Sequence, residues 1–186
     1  MSTAWKAFVY AAAAFGTSAT QPAAAQNTAT DVTKAEIEAV RTYQGRVVTD
    51  RQVKVVDVGE YNIGVGILHR GHLQEGERIG GLVHNAVTEV YYVLSGSGTL
   101  ITGGVLADAR VIADDGDAVQ VLVGPSDAGF VEGGDRRIVS AGDVVIIPAG
   151  TPHAFAEITD HVDYLSIRPD TNDTLPAGYV HPALKR

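Results

Sequence analysis

The sequence predicts an all-β barrel or sandwich preceded by one short helix, and three observations predict it. Short runs rich in β-branched and aromatic residues recur at Val53–Val58, Tyr61–His69, Val90–Leu94, Thr99–Thr102, Val119–Val123, Val144–Ile147, Ala154–Ile158 and Val162–Ile167. Clusters of Gly, Asp, Asn or Pro separate most of them, and the 21 glycines suit many tight turns. Beyond residue 43 there is no long helical period, and no repeat of fixed length occurs anywhere.

Each element follows in chain order. Lys6 is the sole charge before Asp31, Ala7–Gly16 is a short apolar run, and Gln21–Ala25 ends in a small-x-small pattern. This is the layout of a secretory signal peptide with cleavage after Ala25. The run is about half of the ~20 residues needed to span a bilayer, so the expectation is export to the periplasm or outside the cell, with no membrane attachment after cleavage. Residues 26–50 read as a lead-in and a short helix. Asp31 or Thr33 caps it, Ile37 and Val40 form its apolar side through about Tyr43, and Gly45 stops it. Residues 51–169 form the barrel. Within them, 103–141 are rich in Gly and Asp and read as a connection or hairpin outside the barrel core. Asp114, Asp115 and Asp117 do not match the ligand spacing of a calcium loop. Residues 170–186, with Pro176 and Pro182, read as a tail on the surface.

Composition narrows the function. The chain has 186 residues, a formal net charge of −8 and no Cys. That length buries a core without disulfides. The acidity gives no drive toward nucleic acid or anionic membrane. Without thiolates, a metal must be held by His, Asp or Glu.

Two segments carry a resemblance. Gly76 is followed by five residues, Leu82-Val83-His84, four residues, Glu89, six residues and Gly96. Gly142 is followed by five residues, Pro148-Ala149-Gly150, two residues, His153, three residues and Glu157. These spacings resemble the paired motifs of the cupin superfamily, with Leu82 in place of the first His and Glu157 in place of the final Asn. The resemblance spans residues 76–157 and implies a double-stranded β-helix, a jelly-roll-like barrel.

The resemblance also implies a site. Of the four ligands of the full motif this chain supplies His84, Glu89 and His153. Two imidazoles and a carboxylate resemble the triad of non-haem iron enzymes and also suit catalytic zinc. Fe, Mn, Zn and Ni all remain open as the divalent metal. Alternation along a strand places Leu82 beside His84, Tyr91 beside Glu89, and Phe155 and Glu157 beside His153. Leu82, Tyr91 and Phe155 would wall a pocket for a small organic ligand, and Tyr91 or Glu157 would serve as acid or base. Glu157 has further roles open to it: fourth ligand, partner behind a ligand His, or neighbour of Arg168 at the barrel end. Arg70 and Arg168, at strand ends, would bind an anion if turned inward. His72 is a fourth-ligand candidate, while His161 in a turn and His181 in the tail read as solvated.

Fold does not decide function. The triad favours a metal-dependent enzyme of dioxygenase, isomerase or lyase type on a small molecule. Leu82 favours the alternative, a non-catalytic module that binds a small ligand or the metal. Many cupins dimerise, and Val90 and Tyr92, outward by alternation, would join a homodimer patch.

Overall fold

The computed structural model describes residues 28–43 and 49–185, so the expected leader and the Gly45 stop lie outside the described residues. The helix α1 runs Lys34–Arg41. Thr33 is its cap: the hydroxyl accepts from Glu36 N–H, and the Glu36 carboxylate accepts in return from Thr33 N–H. At the other end the Arg51 guanidinium donates to the carbonyls of Val40, Arg41 and Tyr43, where the helix dipole favours a cation. Val40 and Ile37 bury against Val53, Ile67 and Leu165, so α1 covers the outer face of a sheet.

Ten strands follow: β1 Asp50–Asp57, β2 Asn62–Arg70, β3 Ile79–His84, β4 Glu89–Thr102, β5 Val105–Val111, β6 Ser126–Glu132, β7 Asp135–Ser140, β8 Val144–Ile147, β9 His153–Glu157 and β10 Val162–Asp170. All pair antiparallel. One sheet has the order β1-β2-β10-β4-β8, the other β7-β4-β9-β3-β6-β5. The long strand β4 belongs to both: its first half pairs β10 and β8, its second half β7 and β9. Leu68, Tyr91, Val93, Leu100, Val145, Phe155, Ile158 and Tyr164 fill the space between. This is the double-stranded β-helix that the cupin resemblance implies.

The change of sheet in β4 depends on Gly96. Its φ is +71°, and a Cβ there would lie 1.9 Å from the His161 carbonyl oxygen. The approach lets Ser97 N–H donate to that carbonyl at 3.0 Å. The two runs expected at Val90–Leu94 and Thr99–Thr102 are therefore one strand.

Four expectations are corrected. Val119–Val123 is not a strand; Ala118–Leu122 form one π-helical turn. The Asp-rich turn before it starts a coil, with Val119 and Gln120 N–H both donating to the Gly116 carbonyl, and Val119 and Val123 are buried. Residues 103–141 are not all outside the barrel, because β6 pairs β3, β7 pairs β4, and Val131 packs with Ile101 and Ala154. The tail does not merely lie on the surface. The buried Asp170 carboxylate accepts from Leu175 N–H at 2.6 Å and the Thr174 hydroxyl at 2.8 Å. That pins Leu175 between Val55 and Val87. His181 is buried rather than solvated and meets the Tyr43 ring edge-on at 5.2 Å.

Candidate metal centre

The site forms where the two motif segments meet. His84 ends β3 and Glu89 begins β4, so a four-residue turn returns the carboxylate beside the imidazole. His153 opens β9 and pairs directly with Leu82 on β3. Gly150 N–H donates to the His84 carbonyl at 2.8 Å and ties the second motif to the first. His84, Glu89 and His153 are 5 %, 2 % and 6 % exposed. One ligand atom from each lies within 4.8 Å of the other two, and no other such group occurs among the described residues.

The hydrogen bonds behind the imidazoles determine what they present. His153 Nδ1 lies 3.0 Å from the Thr151 carbonyl, which can only accept, so the proton is on Nδ1. His84 Nδ1 lies 2.8 Å from Ser126 Oγ, whose own proton goes to the Gly124 carbonyl. Ser126 therefore accepts, and the neutral His84 also carries its proton on Nδ1. Both Nε2 lone pairs then face Glu89 Oε2, at 3.3 Å from His84 and 3.4 Å from His153. Three acceptors converge in a buried site with no proton between them. A divalent cation fits that donor set, and second-sphere bonds of this kind are what orient ligand imidazoles. Burial itself pushes the His84 imidazole below its ordinary range, toward the neutral form a metal needs.

Glu89 is held from behind. Oε1 accepts from the Ser166 hydroxyl at 2.6 Å and from Arg168 Nε at 3.2 Å, while Oε2 accepts from the Tyr91 hydroxyl at 2.9 Å. Burial alone would raise this carboxyl; the Arg168 charge and the hydroxyl donors around it favour the carboxylate form. Arg168 is fully buried and also donates to Gln52 Oε1 at 2.6 Å and to Asp50 Oδ2. Asp50 Oδ1 has no hydrogen-bond partner among the described residues, and burial pushes its carboxyl up.

A cavity of about 270 Å³ surrounds the triad, with Asp50, Arg70, Leu82, Tyr91 and Leu122 in its wall. A second, of about 550 Å³, shares Arg70, Leu82, Tyr91 and His153 with it and adds Phe155. The structure thus puts Leu82, Tyr91, Phe155 and Arg70 around the triad. It does not put Arg168 in either cavity: the guanidinium lies behind Glu89, spent on protein acceptors. Nor does Glu157 reach inward. A register shift at Thr99/Leu100 pairs Thr99 with Glu157 and Leu100 with Phe155. Alternation breaks there, Ile158 takes the inward place, and Glu157 is exposed. Tyr91 is buried, its phenol pKa raised by burial and by the Glu89 charge, so it holds its proton. His72 is exposed with Nδ1 on the Thr159 carbonyl and is no part of the triad. His161 bonds Asp160 and Ser95.

Sequence reasoning missed Ser126, Ser166, Asp50 and Gln52 behind the ligands. The first has no sequence signal. Ser166 and Arg168 did have one, since Val162, Tyr164, Ser166, Arg168 and Asp170 follow strict period two and all are buried.

No protein-family model matches this chain, and no curated protein matches it. Solved structures do resemble it. A Bacillus halodurans protein has 19 % identity and a TM-score of 0.43, with 84 % of this chain and 92 % of that one covered. The DMSP lyase DddQ from Ruegeria pomeroyi has 16 % identity and a TM-score of 0.39, covering 78 % of this chain and 61 % of that one. A cupin protein from Bacteroides fragilis has 18 % identity and a TM-score of 0.38, covering 74 % and 90 %.

Proposed function

We propose that this chain, whose fold is that of the cupins, is a metal-dependent enzyme acting on a small organic molecule, of dioxygenase, isomerase or lyase type. The observation that carries the reading is the convergence of two unprotonated Nε2 atoms and one carboxylate oxygen within 4.8 Å in a buried cavity. His84, Glu89 and His153 would hold Fe, Mn, Zn or Ni. Such an ion supplies a Lewis acid and an open position for substrate. The chain's own groups do the rest. Ser126 and the Thr151 carbonyl fix the imidazole tautomers, and Ser166 and Arg168 orient Glu89. Leu82 keeps one wall apolar and limits water. Tyr91 keeps a proton on its hydroxyl, aimed at Glu89 Oε2.

Elemental analysis of untagged protein, beside the His153→Ala variant, tests the reading. Near one equivalent of a transition metal, lost in the variant, supports it. No metal after anaerobic incubation with Fe²⁺, Mn²⁺ and Zn²⁺ overturns it and favours the non-catalytic binding module to which Leu82 points.

Two further proposals concern the chain's setting. Export to the periplasm or beyond rests on the residue 1–25 pattern, and N-terminal sequencing of secreted protein checks it. A homodimer rests on the outer face where Tyr92, Leu94, Val144 and Ile146 are 40–68 % exposed. Light scattering on Ile146→Asp checks that, with a monomer as the expected result.

A further inference from the structure

We propose that the larger cavity is a carboxylate subsite in which Arg70 holds an organic acid with an apolar body beside the metal group. Arg70 ends β2 and turns inward. Its Nε–H donates to the Tyr164 hydroxyl at 3.0 Å, and its guanidinium carbon stands 5.6 Å over the Phe155 ring. Those two contacts orient the group and leave its terminal nitrogens without a hydrogen-bond acceptor among the described residues. Arg168, the other inward arginine, is by contrast saturated by Glu89, Gln52, Ser166 and Asp50. Arg70 lies in the walls of both the 550 Å³ cavity and the 270 Å³ cavity around the triad.

The charge of the larger cavity decides the sign of its ligand. Among the described residues, Arg70 and Arg78 are the charged Lys, Arg, Asp or Glu residues in its wall and no acid lines it, although the whole chain is net −8. Arg78 is already engaged, with Asp108 at 2.5 Å and the Phe130 ring at 3.7 Å. Arg70 therefore offers the free fork, and paired N–H donors of that spacing match a carboxylate. Leu73, Leu100 and Phe155 in the same wall suit a short alkyl or aromatic body, and the volume is ordinary for a small-molecule site. Leu82, Tyr91 and His153 border both cavities, so an acid held by Arg70 has its body next to the triad. That it is a substrate rests on the metal reading above; the contact with Arg70 does not.

The test is calorimetric titration of benzoate and hexanoate, with benzamide as the neutral isostere. It uses metal-free and zinc-loaded protein, with zinc content measured on the same samples. Benzoate or hexanoate binds the metal-free wild type, and Arg70→Met weakens that binding at least about tenfold with zinc content unchanged. Arg70→Lys, which keeps the charge and loses the fork, falls between them and serves if Arg70→Met melts early. Benzamide binding is the same in wild type and variants. Carboxylate binding that ignores both Arg70 substitutions, or none at millimolar concentration, overturns the subsite, whether or not zinc loads. Arg70-dependent binding in a protein that takes none of Fe²⁺, Mn²⁺ and Zn²⁺ supports the subsite and overturns the metal reading instead.

Discussion

Replacing Arg168 by Met tests whether the triad depends on the charge buried behind it. The substitution keeps most of the aliphatic stem, so little volume is lost, and removes the guanidinium. Glu89 Oε1 loses a donor at 3.2 Å, Gln52 Oε1 one at 2.6 Å, and Asp50 its ion pair. Two carboxylates then remain in the barrel without the ion-pair partner they share. Breaking a buried pair by removing one partner costs about 3–5 kcal/mol, a large share of the ~5–15 kcal/mol that holds a domain. At about 2–4 °C per kcal/mol for a chain of this size, melting falls by roughly 6–20 °C. Urea and thermal unfolding followed by circular dichroism measure it. The cause is separable: Asp50→Asn in the Arg168→Met background removes one stranded charge and recovers about 1–3 kcal/mol. Zinc held by the proposed site would offset the charge on Glu89 and narrow the deficit as well. A loss below about 1 kcal/mol, or no recovery with Asp50→Asn, refutes the view that Arg168 compensates both carboxylates.

Three other outcomes are expected. Leu82→His restores the imidazole that the cupin motif has at that position, on the cavity wall and paired with His153; zinc competition assays should show binding tightened by about tenfold or more. Burial keeps the His84 pKa low, so below about pH 6.5 the unfolded chain takes up a proton that the folded site refuses. Metal-free stability therefore declines as pH falls through that window, and bound zinc is released as protons compete for Nε2. Urea melts and a zinc chelator follow both, and stability that rises on acidification contradicts the neutral His84 imidazole. Gly96→Ala forces a Cβ to 1.9 Å from the His161 carbonyl and should destabilise by more than about 2 kcal/mol, whereas Gly71→Ala, with open space around it, should change melting little.

The triad was legible in the sequence because both motifs are local. The motif resemblance picks out His84, Glu89 and His153, each at a strand end, and the antiparallel frame does the rest. Strand character at β1, β2, β8, β9 and β10 was legible for a similar reason, since β-branched runs between turn residues speak for themselves. Alternation was reliable where the strand is regular: it placed Tyr91 with Glu89 and Phe155 with His153. It failed at Glu157, because the register shift against Thr99/Leu100 is a property of two strands and appears in neither alone. Val119–Val123 failed likewise, since its β-branched composition suits a strand but a turn anchored on Gly116 and burial of Val119 and Val123 coil it. By itself the sequence determined the barrel class, the acidic, thiol-free chemistry and the three residues that meet in the buried site. Tertiary structure decided what stands behind them. Arg168 on β10 meets Asp50 and Gln52 on β1 and Glu89 on β4, at separations of 118, 116 and 79 residues. Only closure of the sheets brings those groups within hydrogen-bond reach, and no local pattern encodes which buried charge will answer which.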